Sequence, residues 1–173
     1  MNQLLQRLLV GVAVAALSFT NTARAAGVAT GQPIDSVLCE PAESFVVHIH
    51  QHLDIIDHGK PIVIPGDIGR PGQCFYWIHT HRPNGIIHVE SPTERSFTLG
   101  NVFAVWGQPL TETDVAGVKP NPNERIVTWV DGRRYEGDPR KLELTSHQDI
   151  TIEVGPPYTQ PTPFTEWGPN NKK

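Results

Sequence analysis

In the stretch "FVVHIHQHLDI", residues 45 to 55, apolar and polar positions alternate along the chain. On an extended strand Phe45, Val47, Ile49, Leu53 and Ile55 share one side, interrupted by Gln51. His48, His50, His52 and Asp54 share the other. "DHGK" then reads as a hairpin turn leading into "PIVIP". "CFYWIHTH" and "GIIHVES" form the next pair of strands. Further on, "RIVTWVDGRRYEG" reads as a second hairpin around Asp131-Gly132, and "KLELTSHQDITIEVG" supplies two more strands. "IIDHGK" and "WVDGR" echo one another, a hint of two related β units.

The period changes once. In "SFTLGNVFAVWGQP", Leu99, Val102, Phe103 and Trp106 form a helical stripe that reads as core packing. Thr98 can cap its start, and Gly107 with Pro109 can end it, which predicts a short helix near 98–106. Sixteen prolines and fifteen glycines separate the apolar runs closely. The predicted class is all-β, of short and mainly antiparallel strands in a sandwich or small barrel, with one short helix. The predicted divisions are an N-terminal arm at 26–44, a histidine-rich β unit with the helix at 45–110, a loop or linker at 111–124, a second β unit at 125–155, and a Pro-rich tail at 156–173, extended or disordered.

The first 25 residues change the picture of where the chain works. Arg7, the apolar run "LLVGVAVAAL" and the small residues Ala23 and Ala25 read as a secretory signal peptide cut after Ala25. A retained membrane anchor is the competing reading, but the run is short for a span and no second one follows. The expected location is periplasmic or secreted. The chain carries 14 basic and 18 acidic residues, and cleavage removes Arg7 and Arg24, leaving 12 basic residues and a net charge of −6. That balance argues against nucleic acid or anionic lipid as a partner. In an exported chain the two cysteines, Cys39 and Cys74, are expected to form a disulfide; the alternative makes Cys74 a thiolate metal ligand beside His79.

Seven of the eight histidines lie between His48 and His88. An H-x-H pair on a strand puts both rings on one face, roughly 6.6 Å apart along the strand, whereas His48 and His52 are about 13 Å apart. One ion can therefore take His50 with one neighbour. For the second cluster two hairpin registers compete. With Arg82 opposite Ile87, His79, His81, His88 and Glu90 share a face; a glycine-bulge turn would place Arg82 opposite Ile86. The first keeps Tyr76, Ile78, Ile87 and Val89 together on an apolar side, and burial outweighs turn preference.

If the two histidine faces meet, His48, His50, His52, His79, His81 and His88 make a nitrogen-rich site suited to Zn(II) or Cu(II). Glu90 or Asp54 could orient a ligand or act as a base. Ordinary imidazoles would lose such an ion as pH falls through about 6.5. An ordinary polar sheet face competes with this reading. His58 and His147 read as turn residues, although His147 could close the pocket. The only methionine is Met1, which argues against a thioether copper(I) carrier, and neither H-E-x-x-H, G-x-S-x-G nor a phosphate-loop spacing occurs.

The segments "HIHQHLDIIDHGKPIVIPGDIG", "YWIHTHRPNGIIHVESP", "FTLGNVFAVWGQPL" and "YEGDPRKLELTSHQDITIEVG" are similar to a group of uncharacterised bacterial exported proteins, over about residues 46 to 155. The resemblance implies an exported β domain and no activity. "HIHQHLD" distantly resembles the cupin H-x-H motif, without the glutamate that follows it there and without a convincing second cupin motif. The H-x-H plus His pattern also resembles α-type carbonic anhydrases, for which the chain is too short. Three functions fit: an exported metal-binding protein for delivery, storage or sensing; a metal-dependent hydratase or hydrolase with a three-histidine site and bound water; and an adhesion or assembly module without metal. Four protein ligands closing the shell favour binding, and three with an open position favour catalysis.

Overall fold

The structure is a computed structural model that describes residues 31–168. The expected signal peptide, the start of the expected arm and the last five residues lie outside that range.

The strands are β1 (Cys39–Glu40), β2 (Val47–Asp57), β3 (Lys60–Ile62), β4 (Phe75–Tyr76), β5 (Ile78–His79), β6 (Ile86–Ser91), β7 (Ile126–Val130), β8 (Arg133–Tyr135) and β9 (Gln148–Val154). The helix α1 spans Leu99–Trp106. The class is as expected: β structure, mostly antiparallel, with one α-helix among the described residues. The sheet does not close into a barrel. β1 and β4 form a two-stranded sheet, and the rest form a seven-stranded one in the order β5-β6-β2-β9-β7-β8, with β3 beside the end of β2.

Turn chemistry places the two hairpins. His58-Gly59 and Asp131-Gly132 all have positive φ, the primed turn that matches strand twist. The helix also begins and ends where its signals stand. The Thr98 side chain accepts from the Asn101 backbone, Asn101 accepts from the Thr98 backbone, and Gly107 closes the last turn at φ 74°.

The stretch 141–155 differs from expectation. It holds one strand, β9, while residues 142–144 make only a bridge from Glu143 to Thr98. β9 pairs parallel to β2 and antiparallel to β7, so strands from 45–110 and 125–155 lie in one sheet. Its Ile150, Ile152 and Val154 join Leu53, Ile55, Ile87 and Val89 in one core with Leu99, Val102 and Phe103 of α1.

The opposite face of β9 carries Asp149, Thr151 and Glu153, and these are buried too. The C-terminal tail covers them. The Thr159 backbone donates to Glu153 (2.9 Å), the Phe164 backbone donates to Asp149 (2.9 Å), and the Phe164 ring stacks on His52 at 3.6 Å. The tail is thus extended and docked. The 111–124 loop is likewise irregular, yet it sends Val115 fully into the core.

Candidate metal centre

The expected disulfide is present: Cys39 and Cys74 are bonded, so Cys74 is not a free thiolate ligand. It clamps β1 against β4, with Cys39 opposite Tyr76. Four residues past Cys39 the arm brings Glu43 to the histidines.

The 76–91 hairpin adopts neither expected register. His79 lies opposite His88 and Ile78 opposite Val89, two residues from the favoured register. The cause is Thr80, which leaves the ladder. Its backbone N–H donates to Ile68 O (3.0 Å), its carbonyl accepts from Asp67 (3.0 Å), and its hydroxyl donates to Pro65 O (2.9 Å). The tight turn becomes a wide loop from 80 to 85. A slip of two preserves which side each residue faces. His79, His88 and Glu90 therefore still share a face, and the ring of His81 swings back to them, 4.4 Å from His88 between centroids.

β6 pairs with β2 so that His50 lies opposite His88 and His48 opposite Glu90. The two histidine faces are one face. Two groups result, each with ligand atoms within 4.8 Å of one another and each able to hold a metal ion: His48, His50, His88 and Glu90; and His79, His81, His88 and Glu90.

The hydrogen bonds prepare the donors. His79 Nδ1 lies 2.9 Å from the Tyr76 carbonyl, which can only accept. Nδ1 therefore carries the proton, and Nε2 presents a lone pair to the cluster. His50 Nε2, His88 Nδ1 and Glu90 Oε2 are buried without a hydrogen-bond partner. Such groups cost free energy unless something pairs with them.

Burial holds the rings neutral. It is the main cause that lowers His50 and His79 to about 4 and His88 to about 3. Neighbouring histidines add to it, His88 and then His48 at His50, and His81 and then His48 at His88, while the Tyr76 carbonyl and Glu90 oppose it at His79.

His52 and Asp54 are not brought into either group. His52 Nδ1 binds Asp149 (2.9 Å) under the Phe164 ring, and Asp54 lies 3.9 Å from His52 Nε2. Burial raises the Asp54 carboxyl above its ordinary value. His58 is a turn residue, held between Asp57 (2.6 Å) and Glu124 (2.7 Å). His147 sits beside the cluster, 6.4 Å from His50 between ring centroids and 4.6 Å from Trp167.

Three contributors, Glu43, Glu166 and Trp167, were not read from the sequence. Glu43 Oε1 lies 3.4 Å from His79 Nε2 and 3.5 Å from His81 Nε2. Trp167 and Glu166 line, with Arg82, Phe45 and the histidines, a cavity of about 600 Å³ over the cluster. Only its place before the first histidine strand could have pointed to Glu43. Among the described residues no helix is long and apolar enough to cross a membrane.

No protein-family model matches the chain, and neither the curated proteins nor the solved structures contain a significant match.

Proposed function

We propose that this chain is an exported metal-binding protein, with a histidine-lined site for Zn(II) or Cu(II) used in delivery, storage or sensing. One observation carries the reading. Three atoms of a single group, His50 Nε2, His88 Nδ1 and Glu90 Oε2, are buried with no hydrogen-bond partner. An ordinary polar sheet face would leave such atoms to water. Metal coordination satisfies such atoms, and the neutral imidazoles need lose no proton to bind. The leader-like first 25 residues and the Cys39–Cys74 disulfide support export.

Metal analysis of untagged protein purified from a periplasmic fraction tests the reading. Bound zinc or copper that is lost in a His50→Ala/His88→Ala variant is expected. A chain that arrives empty and takes up neither ion at micromolar concentration would sink it. The cavity favours the hydratase or hydrolase as second reading, because it leaves room for a substrate beside the ion. Water exchange at a cobalt(II)-loaded site separates the two: fast exchange marks an open position, and none marks a closed shell.

A further inference from the structure

We infer that the cluster holds two metal ions rather than one, bridged by the Glu90 carboxylate, with Glu43 completing the second site. The inference rests on the metal-binding reading and adds an ion and a ligand to it.

Zinc–nitrogen bonds of 2.0–2.1 Å at the tetrahedral angle put neighbouring ligand atoms about 3.3 Å apart. The second group already shows that spacing. His79 Nε2 and His81 Nε2 are 3.2 Å apart, and Glu43 Oε1 lies 3.4 and 3.5 Å from them. These three atoms form one face of a tetrahedron. Glu90 Oε2 lies 4.0 Å from His79 Nε2 and would supply the fourth ligand.

The first group repeats the spacing with the other oxygen. Glu90 Oε1 is 3.4 Å from His48 Nε2 and 3.5 Å from His88 Nδ1, and His50 Nε2 is the orphan beside them. The two carboxylate oxygens thus face different histidine sets. A carboxylate serving one ion would aim both at it, leave one to solvent, or give one to a hydrogen-bond donor. Glu90 is 4 % exposed, and its Oε2 has no hydrogen-bond partner. A second cation supplies that partner. The first ion then has three imidazoles and Oε1, and the second has two imidazoles, Glu43 and Oε2. One carboxylate shared between two ions is the arrangement that keeps metals roughly 3.5–4 Å apart in two-metal sites.

The test is zinc stoichiometry of the untagged protein by equilibrium dialysis with elemental analysis. Two ions per chain are expected. Glu43→Gln changes a partly exposed side chain outside the sheet, so it should leave the fold intact and lower the count from two to one. His48→Ala/His50→Ala should also leave one. With copper(II), two equivalents should give a spin-coupled pair whose resonance is weaker than that of one equivalent, and Glu43→Gln should restore the uncoupled signal. One ion at saturation, unchanged by Glu43→Gln, overturns the two-ion site and leaves the metal-binding reading standing. No bound ion overturns both.

Discussion

Free of metal, the protein should be acid-sensitive in a calculable way. The folded chain holds His50 and His79 at about 4 and His88 at about 3, against about 6.5 for an unfolded imidazole. The unfolded state therefore binds more protons between about pH 4 and 6.5. The stabilisation is complete above 6.5 and is lost as pH falls toward 4. At pH 5.5 each unfolded ring is about nine-tenths protonated and each folded one less than about a twentieth, so unfolding takes up roughly 2.7 protons. At about 1.4 kcal/mol per proton per pH unit the slope is between roughly 3 and 4 kcal/mol per pH unit, so a single unit removes a large part of the roughly 5–15 kcal/mol that holds a typical domain. His58 acts in the other direction and outside this window. Its hydrogen bonds to Asp57 and Glu124 raise its pKa, so its contribution is present below 6.5 and is lost as pH rises. Urea titrations of chelator-treated protein at half-unit steps from pH 5 to 7 measure the slope. His88→Gln should reduce it by roughly 1 kcal/mol per pH unit. A wild-type slope below one proton's worth, unchanged by His88→Gln, would show that these rings are solvated and refute the buried cluster.

Other consequences can be checked separately. Cys39→Ser/Cys74→Ser should cost roughly 3–4 kcal/mol by loop closure over a separation of 35 residues, read as a shift in the urea midpoint; an unchanged midpoint contradicts it. Gly69 has φ 70°, and a Cβ there would overlap the Ile78 carbonyl, just before His79. Gly69→Ala should therefore destabilise by about 2–3 kcal/mol and weaken metal binding as well, whereas Gly72→Ala, with open space around it, should leave metal binding alone. Phe164→Ala removes the ring stacked on His52 and should cost about 1 kcal/mol while shifting the His52 ring resonances; unmoved resonances would show that the tail is not docked in solution. Because protons do not compete for His50 and His88 until about pH 4, zinc affinity should fall less steeply from pH 7 to 5.5 than at a site of three ordinary imidazoles; a fall of roughly several hundredfold would contradict the buried donors.

Much of this was legible because side-chain parity on a strand is rigid. The alternation in 45–55 fixed the histidine side of β2, and the apolar positions of 76–89 fixed the side of His79 and His88, although the register moved by two. Parity cannot see what lies across a strand edge. Thr80 left its ladder for the 65–68 loop, a contact that alternation does not encode. His52 looks like its neighbours in sequence, but its cross-strand partner is Asp149 from a distant strand. Glu43 is placed by the disulfide and a two-residue strand too short to carry a pattern. Burial on both faces of β9 depends on the tail, which no strand pattern encodes, and the lowered histidine pKa values depend on burial that imidazole chemistry alone does not reveal.

The pairing of His50 with His88 across β2 and β6 has a kinetic consequence. A zinc finger gathers ligands that are near neighbours in the chain and folds around its ion. Here the donors of the first group run from position 48 to position 88, and they converge only after that ladder has zipped. The ion therefore cannot nucleate the topology. An ion bound there would add its contacts to a finished sheet, so loading should slow unfolding and leave the folding rate nearly untouched. A bound ion would then be kept by persistence: its release would wait on the opening of a finished sheet.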